Sequence, residues 1–470
     1  MYCIKETFVE SNSYIMKRKA EARLQKWIHS KSRKPLIIRG ARQVGKSTLV
    51  RHFAEANNLT LHEINLERHT RLADLFKSFD TRRILEDLEF IIQKGSILEK
   101  GGILFLDEIQ AVPSAIQALR YFYEDFPDLP VVAAGSLLEI ILSKHSFSMP
   151  VGRIEYLFLN PMTFEEVLEA FGQHDLIKLL LEYTLDRSFP ESAHNRLLEL
   201  QRKYFITGGM PEAVARFVET SSFEEVSEVQ AAILETYRDD FAKYATKSAL
   251  LRLHKILDYV PGAVGEKFKY VNVDNQEQAR ELKTALELLV KARLIHLAFH
   301  TDASGPPLKA NINRKIFKPF FLDCGLMNFI CGVRNISLEQ LTNRKFVNEG
   351  KIAEQFIAQH LIAIEKSNIS PDLHYWLREA KSANAEVDFL IQFGQEILPV
   401  EVKSGQSGSL KSLHQFALRK NASRAIRFDL NKPSLQIVQP SVRTKEKSVT
   451  VNFDLLSLPL YFVEQIFRFV

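Results

Sequence analysis

Cysteine is scarce in this 470-residue chain: Cys3, Cys324 and Cys331 are the whole set. Three thiols without a CxxC spacing cannot build a disulfide framework, which points to a reducing compartment. Cys324 and Cys331 have no His or Cys neighbour at metal-ligand spacing and read as small buried hydrophobes. Charge of one sign is also lacking. The net charge of +5 permits nucleic-acid contact but does not argue for it. Long apolar runs are missing as well. The longest, Val131 to Leu142, is interrupted by Ser136 and Glu139 and is too short to cross a bilayer. Met1 to Ser13 carries Glu6 and Glu10 and has no apolar signal core. The expectation is a cytoplasmic protein with no membrane partner. With 46% hydrophobic and 25% charged residues the composition is ordinary for a globular protein. Its 33 phenylalanines predict aromatic-rich cores.

Against this plain background, Gly40-Ala41-Arg42-Gln43-Val44-Gly45-Lys46-Ser47 stands out as a phosphate-binding loop. It follows an apolar strand, Leu36-Ile37-Ile38, and precedes a helix beginning near Thr48. That context is what gives the pattern meaning. Glycines let the backbone curl so that several N–H groups face one phosphate chain. Lys46 is expected to reach the outer phosphates and Ser47 to hold Mg²⁺, with the helix N-terminus adding its positive dipole end. ATP and Mg²⁺ are the expected ligands. Gly101 to Glu108 is a second apolar strand, ending in two carboxylates. Asp107 is expected to support the Mg²⁺ and Glu108 to polarise the attacking water as general base.

Further strands are expected at Leu61–Leu66, Pro130–Ser136 and Ile154–Leu159, with helices at 84–98 and 114–126 between them. Alternating strands and helices argue an α/β fold with a parallel sheet covered on both faces. Ser136, at a strand end beside the acidic pair, can hydrogen-bond the γ-phosphate or the water, or cap a following helix.

GARQVGKST (40–48), ILFLDEIQ (103–110), AAGSLLEI (133–140), VGRIEYLFLNPMTFEEVL (151–168) and YFITGGMPEAV (204–214) occur in order. In these the chain resembles the bacterial and archaeal AAA+-type ATPases that carry a C-terminal restriction-endonuclease-like domain. The resemblance implies a sensor role for Ser136 and a finger role for Arg153, toward a γ-phosphate in its own chain or in a neighbouring copy of a homo-oligomer. Arg42 also matches the family pattern; it is expected among the nucleotide-contacting residues Gly40–Thr48, with a solvent-facing side chain as the alternative. The resemblance divides the chain into a P-loop ATPase core (1–163), a helical lid (164–245), a winged-helix-like module (246–335), a restriction-endonuclease-like domain (336–450) and an apolar tail (451–470).

In the lid, Gly208-Gly209-Met210-Pro211 breaks the helices. Glu235, Arg238, Asp239 and Asp240 read as a solvated face. In the third segment, helices at 250–257 and 276–293 precede two strands, 294–299 and 315–321. Arg280, Lys283, Lys291 and Arg293 alternate with Glu277, Glu281 and Glu287, so DNA and protein both stay open as partners. Farther on, a helix over 349–365 precedes a hairpin around Gly394. Alternation puts Glu401 and Lys403 on one face of their strand, with Asp388 across from them. This is similar to the D…ExK arrangement of the restriction-endonuclease-like fold, with Glu354 as its upstream helix acid. A nuclease site built from Glu354, Asp388, Glu401 and Lys403, holding Mg²⁺, is therefore expected as one reading, and a fold kept for binding or assembly as the other. The functional expectation is an ATPase that couples nucleotide state to nucleic acid through the nuclease-like domain. Its rival is a nucleotide-gated protein scaffold.

Overall fold

The computed structural model describes residues 16–136, 138, 149, 150, 152–243, 245–334, 349–365, 368, 369, 371–378, 384–443 and 448–470. The expectations placed on Met1–Ser13, on a helix after Ser136 and on Val151 lie outside these residues.

Five strands form the first sheet: β1 (Leu36–Arg39), β2 (Thr60–Asn65), β3 (Gly102–Asp107), β4 (Val131–Gly135) and β5 (Glu155–Phe158). All neighbours are parallel, in the order β2-β3-β4-β1-β5. β3 and β4 are buried along their whole length, as an apolar run without alternation requires. Consecutive side chains of β1 go to opposite faces. Leu36 and Ile38 pack with Leu49, Val50 and Phe53 of the helix Lys46–Ala56. Ile37 joins Ile84 and Leu88 of the helix Thr81–Ile92, and Ile116 and Phe122 of the helix Pro113–Asp125. The helix expected to run to residue 98 stops at Ile92, because Gln93 takes a left-handed conformation (φ 55°) and caps it.

A block of helices follows: Phe164–Ala170, His174–Glu182, Glu191–Thr207, Pro211–Thr220 and Phe223–Ala242. Thr163 and Glu166 cap the first of them reciprocally. Gly208 ends the helix Glu191–Thr207 at φ 69°, and a Cβ on Gly209 would lie 2.1 Å from the Met162 carbonyl oxygen. Only glycine allows that approach.

The helices Lys247–Tyr259, Tyr270–Val273 and Ala279–Lys291 lead into an antiparallel pair, β6 (Ile295–Thr301) and β7 (Ile312–Phe321). This pair is not a free wing. β8 (Leu373–Arg378) pairs in parallel with the open edge of β6, and β9 (Ala385–Val387) continues the sheet, in the order β7-β6-β8-β9. The unpaired backbone groups of an edge strand are satisfied by the next segment of chain.

The second large sheet has the order β10-β11-β12-β16-β13. Its strands are β10 (Phe389–Phe393), β11 (Glu396–Val402), β12 (Arg424–Asp429), β13 (Ser434–Val438) and β16 (Phe453–Pro459); β14 (Ser441–Arg443) and β15 (Ser448–Thr450) form a small separate pair. The β10–β11 hairpin turns at Gly394 (φ 59°), as expected. The helices Glu349–Ile364 and Lys411–Lys420 complete this part. The separate apolar tail is corrected: β16 is an interior strand between β12 and β13, and its apolar sequence reflects burial on both faces. The 3-10 helix Leu460–Arg468 then packs against the helical block. Phe462 lies 5.5 Å from Tyr183 and 5.4 Å from Phe189, ring centre to ring centre. Among the described residues no helix is long and apolar enough to cross a membrane. Cys324 is buried as expected, whereas Cys331 is exposed at the end of the helix Cys324–Ile330, a correction to its reading as a core residue.

Candidate functional site

The loop Gly40–Ser47 joins β1 to the N-terminus of the helix Lys46–Ala56. Gly45 has φ 89° and Gln43 φ 60°, which gives the backbone the curl a phosphate cradle needs. A Cβ on Gly40 would lie 2.2 Å from the Leu159 carbonyl oxygen, so this glycine is fixed by the last strand of the sheet. Ala41 and Val44 are buried in the core and offer only main chain. Lys46 Nζ donates to the carbonyl oxygens of Gly40 (3.2 Å) and Ala41 (2.7 Å). Thr48 faces solvent one step into the helix.

The acidic strand ends against this loop. Asp107 is buried, and its two oxygens are engaged separately. Ser47 Oγ donates to Oδ2 at 2.9 Å, and the Glu108 amide donates to Oδ1 at 3.0 Å. Burial pushes the Asp107 carboxyl up, against the lowering effect of the Ser47 hydroxyl. A buried carboxylate beside a hydroxyl is a hard oxygen pair that fits Mg²⁺, which commonly takes one or two protein oxygens and keeps its waters. Glu108 is left-handed (φ 49°, ψ 45°), a costly conformation for a residue with a side chain. The Gln110 amide donates to its carboxylate. A Cβ on Gly135 would lie 2.4 Å from Gln110 Oε1, so the end of β4 stays a glycine to admit this arrangement.

Arg42 does not face solvent. Its Nε lies 2.9 Å from Asp240 Oδ2 and donates to Ser136 Oγ at 3.2 Å. Tyr237 Oη donates to the Arg42 carbonyl at 2.7 Å. Asp240 is correspondingly 4% exposed, not part of a solvated face. The helix Phe223–Ala242 is thus latched onto the phosphate loop. From the other side, Arg18 donates to the carbonyls of Val44 (2.8 Å) and Asn160 (2.6 Å) and pairs with Glu166 (3.2 Å). Arg18, Tyr237 and Asp240 were not legible as site residues. Periodicity places them on helices or beside them, but does not say which loop they meet.

The finger role of Arg153 within its own chain is corrected. Leu36 pairs with Glu155, so Arg153 precedes the sheet's N-terminal edge, whereas the phosphate loop leaves the C-terminal edge. Arg153 Nε pairs with Glu124 at 3.0 Å, near the end of the helix Pro113–Asp125, and is 45% exposed. Its guanidinium also lies 5.8 Å from the centre of the Tyr123 ring, so its partners in this chain are structural ones.

The C-terminal acids do gather, with two members the sequence reading missed. Asp388 sits at the bend between β9 and β10 and accepts the Val402 amide at 2.8 Å. Glu401, buried, pairs with Lys403. Glu354 enters from the helix Glu349–Ile364. Lys318 of β7, 1% exposed, lies 3.8 Å from Glu354 Oε2 and 3.9 Å from Asp388 Oδ1, and pairs with Glu386. Glu386 belongs to β9. Burial, together with the negative charge of Asp388, pushes the Glu354 and Glu401 carboxyls up to about 8. Among the described residues no group of three or more His, Cys, Asp or Glu is placed to hold a metal ion. The signal for Lys318 was a lone lysine inside the apolar run Ile316–Phe321.

Residues 32–168 match the family model of an AAA domain. Two further models, each described as a domain of unknown function, match residues 198–337 (DUF8612) and 349–456 (DUF4143). No curated protein matches the chain. Similar solved structures include the ORC2 protein of Aeropyrum pernix, at 12% identity and TM-score 0.36, with 71% of this chain and 95% of that one covered. The RuvB Holliday junction branch migration motor of Thermotoga maritima has 17% identity and TM-score 0.29, with 64% and 96% covered. A STAND protein with a tetratricopeptide repeat sensor from Pyrococcus horikoshii has 15% identity and TM-score 0.26; 74% of this chain is covered but only 45% of that protein. At such TM-scores the likeness carries no argument about function. Residues 32–168 form a P-loop domain of the AAA type.

Proposed function

We propose that this chain binds ATP with Mg²⁺ and hydrolyses it where β1, β3 and β4 end, and that the nucleotide state moves the helical lid. The observation that carries this reading is the 2.9 Å contact between the Ser47 hydroxyl and the Asp107 carboxylate, which joins a glycine-bent loop to an acidic strand end. The loop N–H groups and the helix N-terminus bind the phosphates. Lys46 exchanges its two loop carbonyls for phosphate oxygens. Ser47 and Asp107 would hold Mg²⁺, which would supply charge neutralisation on the transferring phosphate. Glu108, held by Gln110, accepts the proton of the attacking water. Ser136, held by Arg42, lies beside the loop for hydrogen bonding to water or phosphate. Arg153 serves a neighbouring copy in a homo-oligomer, which is the one role its position leaves for a finger.

The partner of the middle segment is nucleic acid or protein. Arg252 pairs with Glu277 (2.7 Å) and Glu281 (3.1 Å), and Lys255 with Asp274 (2.6 Å). Residues 246–335 nevertheless hold 14 Lys and Arg against 8 Asp and Glu, the positive excess that phosphate binding needs. ATP turnover measured with and without single- and double-stranded DNA tests this. Unchanged turnover supports a nucleotide-gated scaffold; acceleration by DNA overturns that and supports nucleic-acid coupling. Lys46→Ala is expected to abolish ATP binding, and tight binding by that variant would refute the loop assignment.

A further inference from the structure

We infer that Lys318 is the resident cation of the C-terminal acid cluster and stands where a divalent metal would otherwise sit. A restriction-endonuclease-like reading of Glu354, Asp388 and Glu401 implies Mg²⁺ between these acids. The position of an ammonium there argues otherwise. Lys318 Nζ stands within 4 Å of three carboxylates from two segments: Glu354 at 3.8 Å, Asp388 at 3.9 Å, and Glu386 in closer contact. It is 5.0 Å from the centre of the Tyr375 ring, a second site of attraction for a cation.

The ammonium cannot swing aside easily. Lys318 lies in β7, paired with Ala298 of β6, between the buried Phe317 and the buried Phe320. A lysine that is 1% exposed has no water to receive its charge elsewhere. A divalent ion entering the cluster would meet this fixed positive charge at close range in a low-dielectric setting. Gly265 (φ 74°) lies against Glu354, where a Cβ would stand 2.5 Å from the same Oε2 that faces Lys318. Lys403 pairs with Glu401. Glu354, Asp388, Glu386 and Glu401 thus share Lys318 and Lys403 as their cations.

The consequence is mechanical. Lys318 ties β7 to the helix Glu349–Ile364 and to the β9–β10 bend, the junction between the middle and C-terminal segments. Removing one partner of such a buried ion set is costly, because the others remain buried and uncompensated.

The test is Mn²⁺ binding to the full chain without nucleotide, followed by the electron paramagnetic resonance of free Mn²⁺. Asp107→Asn is used as background so that the phosphate-loop site does not contribute. No saturable binding at millimolar Mn²⁺ is expected. Adding Lys318→Met should create one site per chain, and adding Asp388→Asn to that should remove it. If the Asp107→Asn protein itself binds Mn²⁺ stoichiometrically and Asp388→Asn abolishes this, the inference is overturned. That pair of proteins decides the question even if Lys318→Met fails to fold. Metal-dependent nicking of plasmid DNA by the wild type, lost in Asp388→Asn, would overturn it equally.

Discussion

The latch between Arg42 and Asp240 makes an asymmetric prediction. Arg42→Ala removes the closest positive partner of a carboxylate that is 4% exposed. Burial already pushes that carboxyl up, against the opposing pull of Arg42. Lys243 remains at 3.4 Å, but it is 54% exposed and holds Asp240 weakly. A buried group deprived of its partner costs about 1–3 kcal/mol, more if charged. Because Arg42 is itself partly exposed and Lys243 can compensate in part, about 2 kcal/mol is expected. Asp240→Asn should cost less, about 1 kcal/mol, because Arg42 keeps its bond to Ser136 and some solvent. The double variant should then be no worse than Arg42→Ala alone, since no uncompensated charge is left. The coupling energy of that cycle is expected at about 1–2 kcal/mol. Urea unfolding followed by tryptophan fluorescence in a Trp376→Phe background is the assay, which leaves Trp27, in the core that underlies the loop, as the reporter. Strictly additive losses, or a neutral Arg42→Ala, would refute the idea that the lid is held to the phosphate loop through this pair.

Three other outcomes are expected. Glu354 and Glu401 have carboxyls raised from the ordinary 4.5 to about 8 in the folded chain. Their stability contribution is therefore fully present below about 4.5 and is lost as pH rises through about 8. Glu401→Gln should flatten a decline in melting temperature between those limits, and a wild type that gains stability over the same range would contradict the shifts. Arg153→Ala breaks one exposed ion pair and should change stability by less than about 1 kcal/mol. Mixing it with Glu108→Gln chains should restore turnover through mixed interfaces, and a mixture as inactive as its parts would leave Arg153 a structural residue. Gln110→Ala frees the Glu108 carboxylate and should lower the turnover number more than it raises KM; an equal rise in KM would assign Gln110 to substrate binding.

The ATPase core was legible because its chemistry is local in sequence. The loop lies between an apolar strand and a helix, and the acidic pair ends a strand with no polar residue inside it. Parallel pairing then brings Ser47 and Asp107 together, sixty positions apart, without further information. What stayed hidden depends on distant segments. Arg42 reads as a surface residue until the helix Phe223–Ala242 is laid over it. Arg153 lies near the sheet in sequence but at its wrong edge, which only strand direction reveals. β16 looked like a tail because a strand buried on both faces carries no alternation. The nuclease-like acids were identified by spacing, yet the residue that decides their chemistry, Lys318, comes from β7 and reads in sequence as an oddity inside an apolar strand.

The central claim is that the acidic pair readies a triphosphate for cleavage in the glycine-bent loop. The most direct test is single-turnover cleavage of ATP by the wild type and by Glu108→Gln, with nucleotide bound to saturation in both. The account predicts equal occupancy and a cleavage rate lowered roughly 10²–10⁴-fold in the variant. Cleavage at the wild-type rate with Glu108 replaced would contradict it.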